Sequence, residues 1–195
     1  MLLTSRLPDC YHDIARDVMA NKLTLVLLIA TALPFAAGAV SGPGSSGEEW
    51  IGKPAPEIAS GNWINSAPLT ISELKGKVVL LEFWTFGCYN CRNTLPHVKE
   101  WYKTFPREQL QVIGVHTPEF DREKLLTNVQ RNVKDLGIEY SVVTDNEYAT
   151  WEAYNQRYWP VMYVIDKKGI IRDVQIGEGG YTRIEDLLRE LIKEK

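Results

Sequence analysis

Cys88 and Cys91 stand three residues apart in the run Cys88-Tyr89-Asn90-Cys91, a spacing that suits disulfide chemistry. Residues three apart at the start of a helix lie on one face, so their sulfurs can close a disulfide. A cysteine at a helix N-terminus meets unpaired backbone N–H groups and the positive end of the helix dipole. Both lower its pKa and favour the thiolate, which is the attacking species. Cys88 takes that position, while Cys91, one turn further in, is shielded and suited to resolving a mixed disulfide. The competing use of such a pair is half a zinc site. No second CxxC exists in the chain, and His97 and His116 lack the close spacing of paired zinc histidines. Glu82, six residues before Cys88, is the one carboxylate in an otherwise apolar run. Desolvation there should raise its pKa and let it take or give the proton of Cys91. If its side chain instead reaches solvent, it has no such role.

These residues need elements to hold them. Residues 77–84 (KVVLLEFW) form a continuous apolar, β-branched run and read as a buried strand. Residues 88–105 are helical in composition, and 110–116 (LQVIGVH) read as a second buried strand. That β-α-β unit has the size of a right-handed parallel crossover and puts CxxC at a strand's carboxyl end, where sites gather in open α/β sheets. A helix is expected from about Asp121, with Leu125, Val129, Val133 and Leu136 on one stripe and Gly137 as its stop. Residues 140–144 read as a short strand and 148–155 as a short helix. Residues 161–166 and 170–176 read as a hairpin across Lys167-Lys168-Gly169. The last helix opens on Thr182-x-x-Glu185, the pattern of a capping box, and should bury Ile184, Leu187, Leu188, Leu191 and Ile192. Pro160 cannot donate to a ladder, so it belongs at a strand's first position or at an edge. Trp84 reads as a core aromatic or a lid beside the disulfide. The fold class is α/β with an antiparallel hairpin at the end of the sheet.

The chain has 195 residues, room for one ordinary domain. Lys and Arg total 22 against 25 Asp and Glu, a net charge of -3 with no basic run, which argues against nucleic acid as a partner. Apolar residues at 45% and charged ones at 24% exclude a disordered chain. Three cysteines are too few for a disulfide-stapled scaffold. Residues 23–40 (LTLVLLIATALPFAAGAV) carry no charge, follow Lys22, and include the small-x-small pattern Ala37-Gly38-Ala39 of a signal-peptidase site. Read from Met19, this is a compact secretory signal. The rival reading is an uncleaved membrane anchor, and either one exports the rest of the chain. Residues 1–39 are therefore expected to be an extension plus signal or anchor. Residues 40–49 (VSGPGSSGEE) read as a Gly/Ser/Pro linker, and 50–195 as the folded domain.

The run LEFWTFGCYNCRNTLP resembles the active-site segment of the thioredoxin superfamily, in which an acidic residue, an aromatic and CxxC follow one strand. With CYNCRNTLPHVKEWY, VIGVHTPEF, DNEYATWEAYNQRYWP and IGEGGY, the pattern is similar to exported TlpA-type proteins. It is most similar to the thioredoxin-like domain of DipZ-type proteins, over about residues 50–195. The resemblance implies a thioredoxin-like fold: a mixed central sheet flanked by helices. A helix-strand unit would be inserted between the CxxC β-α-β unit and the hairpin. It implies a redox-active Cys88–Cys91 disulfide with Glu82 as the buried acid. It further implies a cis Pro160 facing the pair, and Trp159 offering its backbone to a substrate chain that Trp84 also lines. Pro96 matches the family's helix-kinking proline. The implied activity is protein thiol-disulfide exchange outside the cytoplasm, in the reducing direction, with neither cofactor nor metal. Disulfide- or thiol-containing proteins are the implied substrates, and a CcdA/DsbD-type membrane protein the implied electron donor. Membrane contact would come only through an uncleaved N-terminal segment.

One departure matters: Tyr89-Asn90 replaces the Gly-Pro pair of ordinary thioredoxins, so reducing power does not carry over. Two other functions compete. Thr85-Phe86-Gly87-Cys88 has the Thr-x-x-Cys spacing of peroxiredoxins, which would make Cys88 a thiol peroxidase. However, Leu81 stands where their proline belongs. A non-enzymatic metal-binding thiol module, like copper-delivery relatives, would want CxxxC with a histidine such as His116. Otherwise His116 reads as a hydrogen-bonded strand-end residue and His97 as a helix-surface residue. Tyr158, Trp159 and Tyr181 form a candidate aromatic rim.

Overall fold

The computed structural model describes residues 47–194. The expected signal or anchor, Cys10 and most of the linker lie outside these residues. The elements in chain order are β1 (Trp63–Ile64), β2 (Val78–Trp84), α1 (Tyr89–Thr104), β3 (Leu110–His116), α2 (Leu126–Asp135), β4 (Ser141–Thr144), α3 (Ala149–Ala153), β5 (Val161–Ile165), β6 (Ile171–Ile176) and α4 (Tyr181–Lys193). The six strands form one mixed sheet in the order β1-β4-β3-β2-β5-β6. β2, β3 and β4 run parallel, while β5 is antiparallel to β2 and β6 to β5. This is the thioredoxin-like arrangement, with α2, β4 and α3 as the unit inserted before the hairpin.

Every residue of β2 is buried, because both faces of the sheet are covered. Val78, Leu80 and Trp84 pack into one core with Leu95, Val98 and Trp101 of α1, Val129 and Val133 of α2, and Ile184, Leu188 and Leu191 of α4. Val79, Leu81 and Phe83 face the other way, onto Ile58, Ile71, Leu74 and Tyr154. Glu82 falls in the alternation with Leu80 and Trp84, which places its carboxylate under α1.

Four expectations need correction. Residues 47–49, read as the end of the linker, belong with the domain: Glu48–Trp50 is a 3₁₀ turn, and Gly47 lies against Val174 of β6. The helix expected from Asp121 is broken into a 3₁₀ turn, Asp121–Glu123, and then α2. Leu125 falls in the break as N-cap and is 57% exposed, so it leaves the buried stripe. The Thr182–Glu185 capping box does not form. Gly180, in the left-handed region at φ 65°, takes the N-cap of α4, and Glu185 instead accepts from Arg189 and the Trp101 indole. Trp84 has no exposed surface, so it is a core residue and cannot line a substrate site. Strand β1 had no signal in the sequence, because two residues are too few to show a period.

Among the described residues, no helix is long and apolar enough to cross a membrane.

Candidate redox site

Cys88 caps α1. Its backbone is extended, and its Sγ accepts from the Cys91 N–H at 3.2 Å. The Cys91 thiol hydrogen bond is the first cause drawing the Cys88 pKa down from 9.0 to about 7, with backbone N–H donors adding to it against the opposing effect of burial. Cys91 is fully buried, and burial pushes its thiol well up, reinforced by the bond to Cys88. Tyr89 between them is 76% exposed. The two thiols are thus unequal: one half-exposed and thiolate-prone, one shielded and protonated. Both are free in the structure.

Glu82 is also fully buried, and burial raises its pKa from 4.5 to about 7. Two hydroxyls sit on its carboxyl group, Thr94 Oγ1 at 3.2 Å and Tyr140 OH at 3.3 Å. Thr94 also reaches the Cys91 carbonyl at 2.7 Å, which links the acid to the helix turn carrying Cys91. The space for Tyr140 exists because Gly114, the register neighbour of Glu82 on β3, has no side chain. A Cβ there would meet the Trp84 indole and the Tyr140 ring. The sequence reading missed both hydroxyls. Thr94 lies three residues after Cys91 and so shares its helix face, a usable signal; Tyr140 comes near only through the pairing of β4 with β3.

The peptide bond between Trp159 and Pro160 is cis, as the resemblance implied. Pro160 immediately precedes β5, whose first residue, Val161, pairs with Phe83 near the carboxyl end of β2. Trp159 is half-buried, packs its ring at a tilt against Trp151 with centroids 4.2 Å apart, and donates its indole N–H to the Thr117 carbonyl at 3.2 Å. Thr117 in turn donates its N–H to Trp84 O at 3.1 Å. The turns after β2 and β3 and the turn before β5 therefore meet at one end of the sheet. Tyr181 is not part of a rim, because it stacks on His97 of α1 at 3.7 Å.

His116 is buried, with its Nε2 3.2 Å from Thr85 Oγ1 and its ring stacked on Phe86 at 5.5 Å. The Thr85 hydroxyl donates to Glu123 at 2.7 Å, so its proton is turned towards Glu123 and not towards Cys88. The Thr-x-x-Cys spacing therefore lacks the hydroxyl-to-thiolate contact that a peroxidase reading wants. Among the described residues, no group of three or more His, Cys, Asp or Glu side chains is placed to hold a metal.

Residues 51–174 match the family model of the AhpC/TSA family. The chain belongs to that family. Protein DipZ of Mycobacterium tuberculosis is 44% identical over 135 residues, 68% of this chain but only 19% of DipZ. The chain thus spans about a fifth of that relative's length. Thiol-disulfide oxidoreductase YkuV of Bacillus subtilis is 28% identical over 73% of this chain and 96% of its own length. The crystal structure of a thiol-disulfide isomerase from Corynebacterium glutamicum superimposes with a TM-score of 0.65 at 28% identity, covering 72% of this chain and 98% of that one. The last two of these relatives carry the names of a thiol-disulfide oxidoreductase and a thiol-disulfide isomerase.

Proposed function

We propose that the chain is a protein thiol-disulfide oxidoreductase that works outside the cytoplasm, in the reducing direction. The observation that carries this reading is the inequality of Cys88 and Cys91 above a buried acid. The Cys88 thiolate attacks a substrate disulfide: a Cys88–substrate S–S bond forms, the substrate S–S bond breaks, and the released sulfur takes a proton. Cys91 then gives its proton to the Glu82 carboxylate and attacks Cys88, expelling the second substrate thiolate. The net exchange oxidises the Cys88/Cys91 dithiol to a disulfide and reduces the substrate disulfide to two thiols. In this reading Trp159 and Pro160, at the same end of the sheet as the pair, are the docking edge for the substrate chain.

The reducing direction rests on the resemblance to thioredoxin-like relatives. The hydrogen bonds that draw the Cys88 thiol below its ordinary range prepare it for attack in either direction. Export is supported by the apolar segment 23–40 and the similarity to DipZ. A reductase in an oxidising compartment must be recharged, which calls for a membrane donor of the CcdA/DsbD type. Two measurements test the reading. In insulin-disulfide reduction, Cys88→Ser should abolish turnover and Cys91→Ser should accumulate mixed disulfides through Cys88; turnover retained in both variants overturns the mechanism. Equilibration with glutathione or thioredoxin should place the potential near about -270 mV, and a value near about -120 mV reverses the direction.

A further inference from the structure

We propose that Glu123 is a positioning residue of the redox pair, acting through Thr85, which it anchors from behind the active-site turn. Glu123 ends the 3₁₀ turn after β3 and is fully buried. Its Oε2 accepts from Thr85 Oγ1 at 2.7 Å, Glu119 N at 2.8 Å and Phe120 N at 3.3 Å. Its Oε1 has no hydrogen-bond partner, and the nearest cation, Arg122, stands 3.9 Å away on an exposed side chain. That oxygen lies over Gly87, in the space a Cβ would fill, so a glycine immediately before Cys88 is what admits the carboxylate.

Burying a carboxyl group with one oxygen unpaired opposes stability, so the arrangement calls for another use. Thr85 supplies it. Its hydroxyl has one proton, which goes to Glu123, so at 3.2 Å it accepts from His116 Nε2–H. Burial keeps His116 neutral, so with the proton on Nε2 its Nδ1 is left as an unpaired buried acceptor. The backbone of Thr85 meets both cysteines: its carbonyl accepts from Cys88 N–H at 3.3 Å, and its N–H faces the Cys91 sulfur. Glu123 touches neither sulfur, but it fixes the residue whose N–H faces the Cys91 sulfur and whose carbonyl holds the Cys88 backbone. Releasing that side chain lets the turn tilt, weakens the donors around Cys88, and raises its pKa towards the free-thiol value. The charged and titratable groups facing Cys88 itself are Cys91, Glu119 and Glu82. Those facing Glu123 are Arg122 and His116.

This inference rests on Cys88 being the reactive thiol, which Cys88→Ser checks separately: the fast alkylation must vanish in that variant. The test is the iodoacetamide rate of the reduced protein across about pH 5–10, for wild type, Thr85→Ser and Thr85→Val. Thr85→Ser keeps the hydroxyl and should stay within about twofold of wild type. Thr85→Val keeps the volume but loses the hydroxyl. Its midpoint should rise by about one pH unit, which is about a tenfold slower reaction near neutrality. In a Glu123→Met background, which has no strong acceptor for the Thr85 hydroxyl, Thr85→Val should move the midpoint by less than about a third as much, because the two changes share one contact. Three results overturn the proposal: a Thr85→Val profile superimposable on wild type, Thr85→Ser as impaired as Thr85→Val, or an undiminished Thr85→Val shift in the Glu123→Met background. Should Glu123→Met fail to fold, the Ser/Val pair still decides.

Discussion

Glu82 and Glu123 are both fully buried acids near the carboxyl ends of neighbouring strands, yet they are held in different ways. Glu82 has two hydroxyl partners at 3.2 and 3.3 Å, whereas Glu123 has one hydroxyl and two backbone N–H groups on a single oxygen. A hydroxyl can turn and exchange donor for acceptor; a backbone N–H only donates. Thr94 has an alternative acceptor in the Cys91 carbonyl at 2.7 Å. A protonated Glu82 can therefore donate to Thr94 while Thr94 donates to Cys91, and an ionised Glu82 can receive Thr94's proton instead. The surroundings of Glu82 suit a group that changes protonation. Those of Glu123 suit one that stays put as an acceptor. What separates a proton-handling acid from a bracing one is therefore the kind of donor around it, since burial is common to both.

The Glu82 side of this comparison breaks most sharply in kinetics. Glu82→Gln should slow resolution of the mixed disulfide by about a hundredfold near neutral pH, the scale of general base catalysis, while secondary structure is unchanged. Single-turnover release of a chromogenic thiol measures this. Equal rates for mutant and wild type across about pH 5–9 would remove the proton-handling role.

A smaller effect of the same residue appears in stability. The folded-state value of Glu82, about 7, lies above its ordinary value of 4.5, so its contribution is fully present below pH 4.5 and is lost as pH rises through 7. Gln undergoes no such loss. Between those limits the stability of Glu82→Gln relative to wild type should therefore rise by about 3 kcal/mol, read by urea unfolding on either side of the window. Parallel pH dependence of the two proteins would mean that Glu82 is not desolvated.

Much of this site was readable from single stretches of chain. A lone carboxylate in VVLLEFW, a CxxC at the following helix start and a proline opening a later strand each announce themselves locally. The partners that give the two acids different roles do not. Tyr140 meets Glu82 across 58 residues and Thr85 meets Glu123 across 38, contacts that exist only once the β2-β3-β4 register is set. Glu123 also lies where the helix was expected to begin, in the 3₁₀ turn that stands in place of its first turn. Local pattern misled at Thr182–Glu185, because a left-handed Gly180 starts α4 without a side-chain cap. Trp84 was ambiguous for a related reason: an aromatic at the end of a strand lies on the site or in the core depending on which face the sheet turns inward.

The central claim, that Cys88 and Cys91 are chemically unequal thiols, is tested most directly by limited iodoacetamide labelling of the reduced protein with peptide-level mass spectrometry. Labelling would be followed across about pH 5–9, the range in which a thiolate of this kind titrates. The expected result is labelling at Cys88 with a midpoint near 7, as its hydrogen bonds from Cys91 dictate, and no labelling of the buried Cys91 anywhere in the range. Equal labelling of the two cysteines, or Cys91 reacting first, would contradict it.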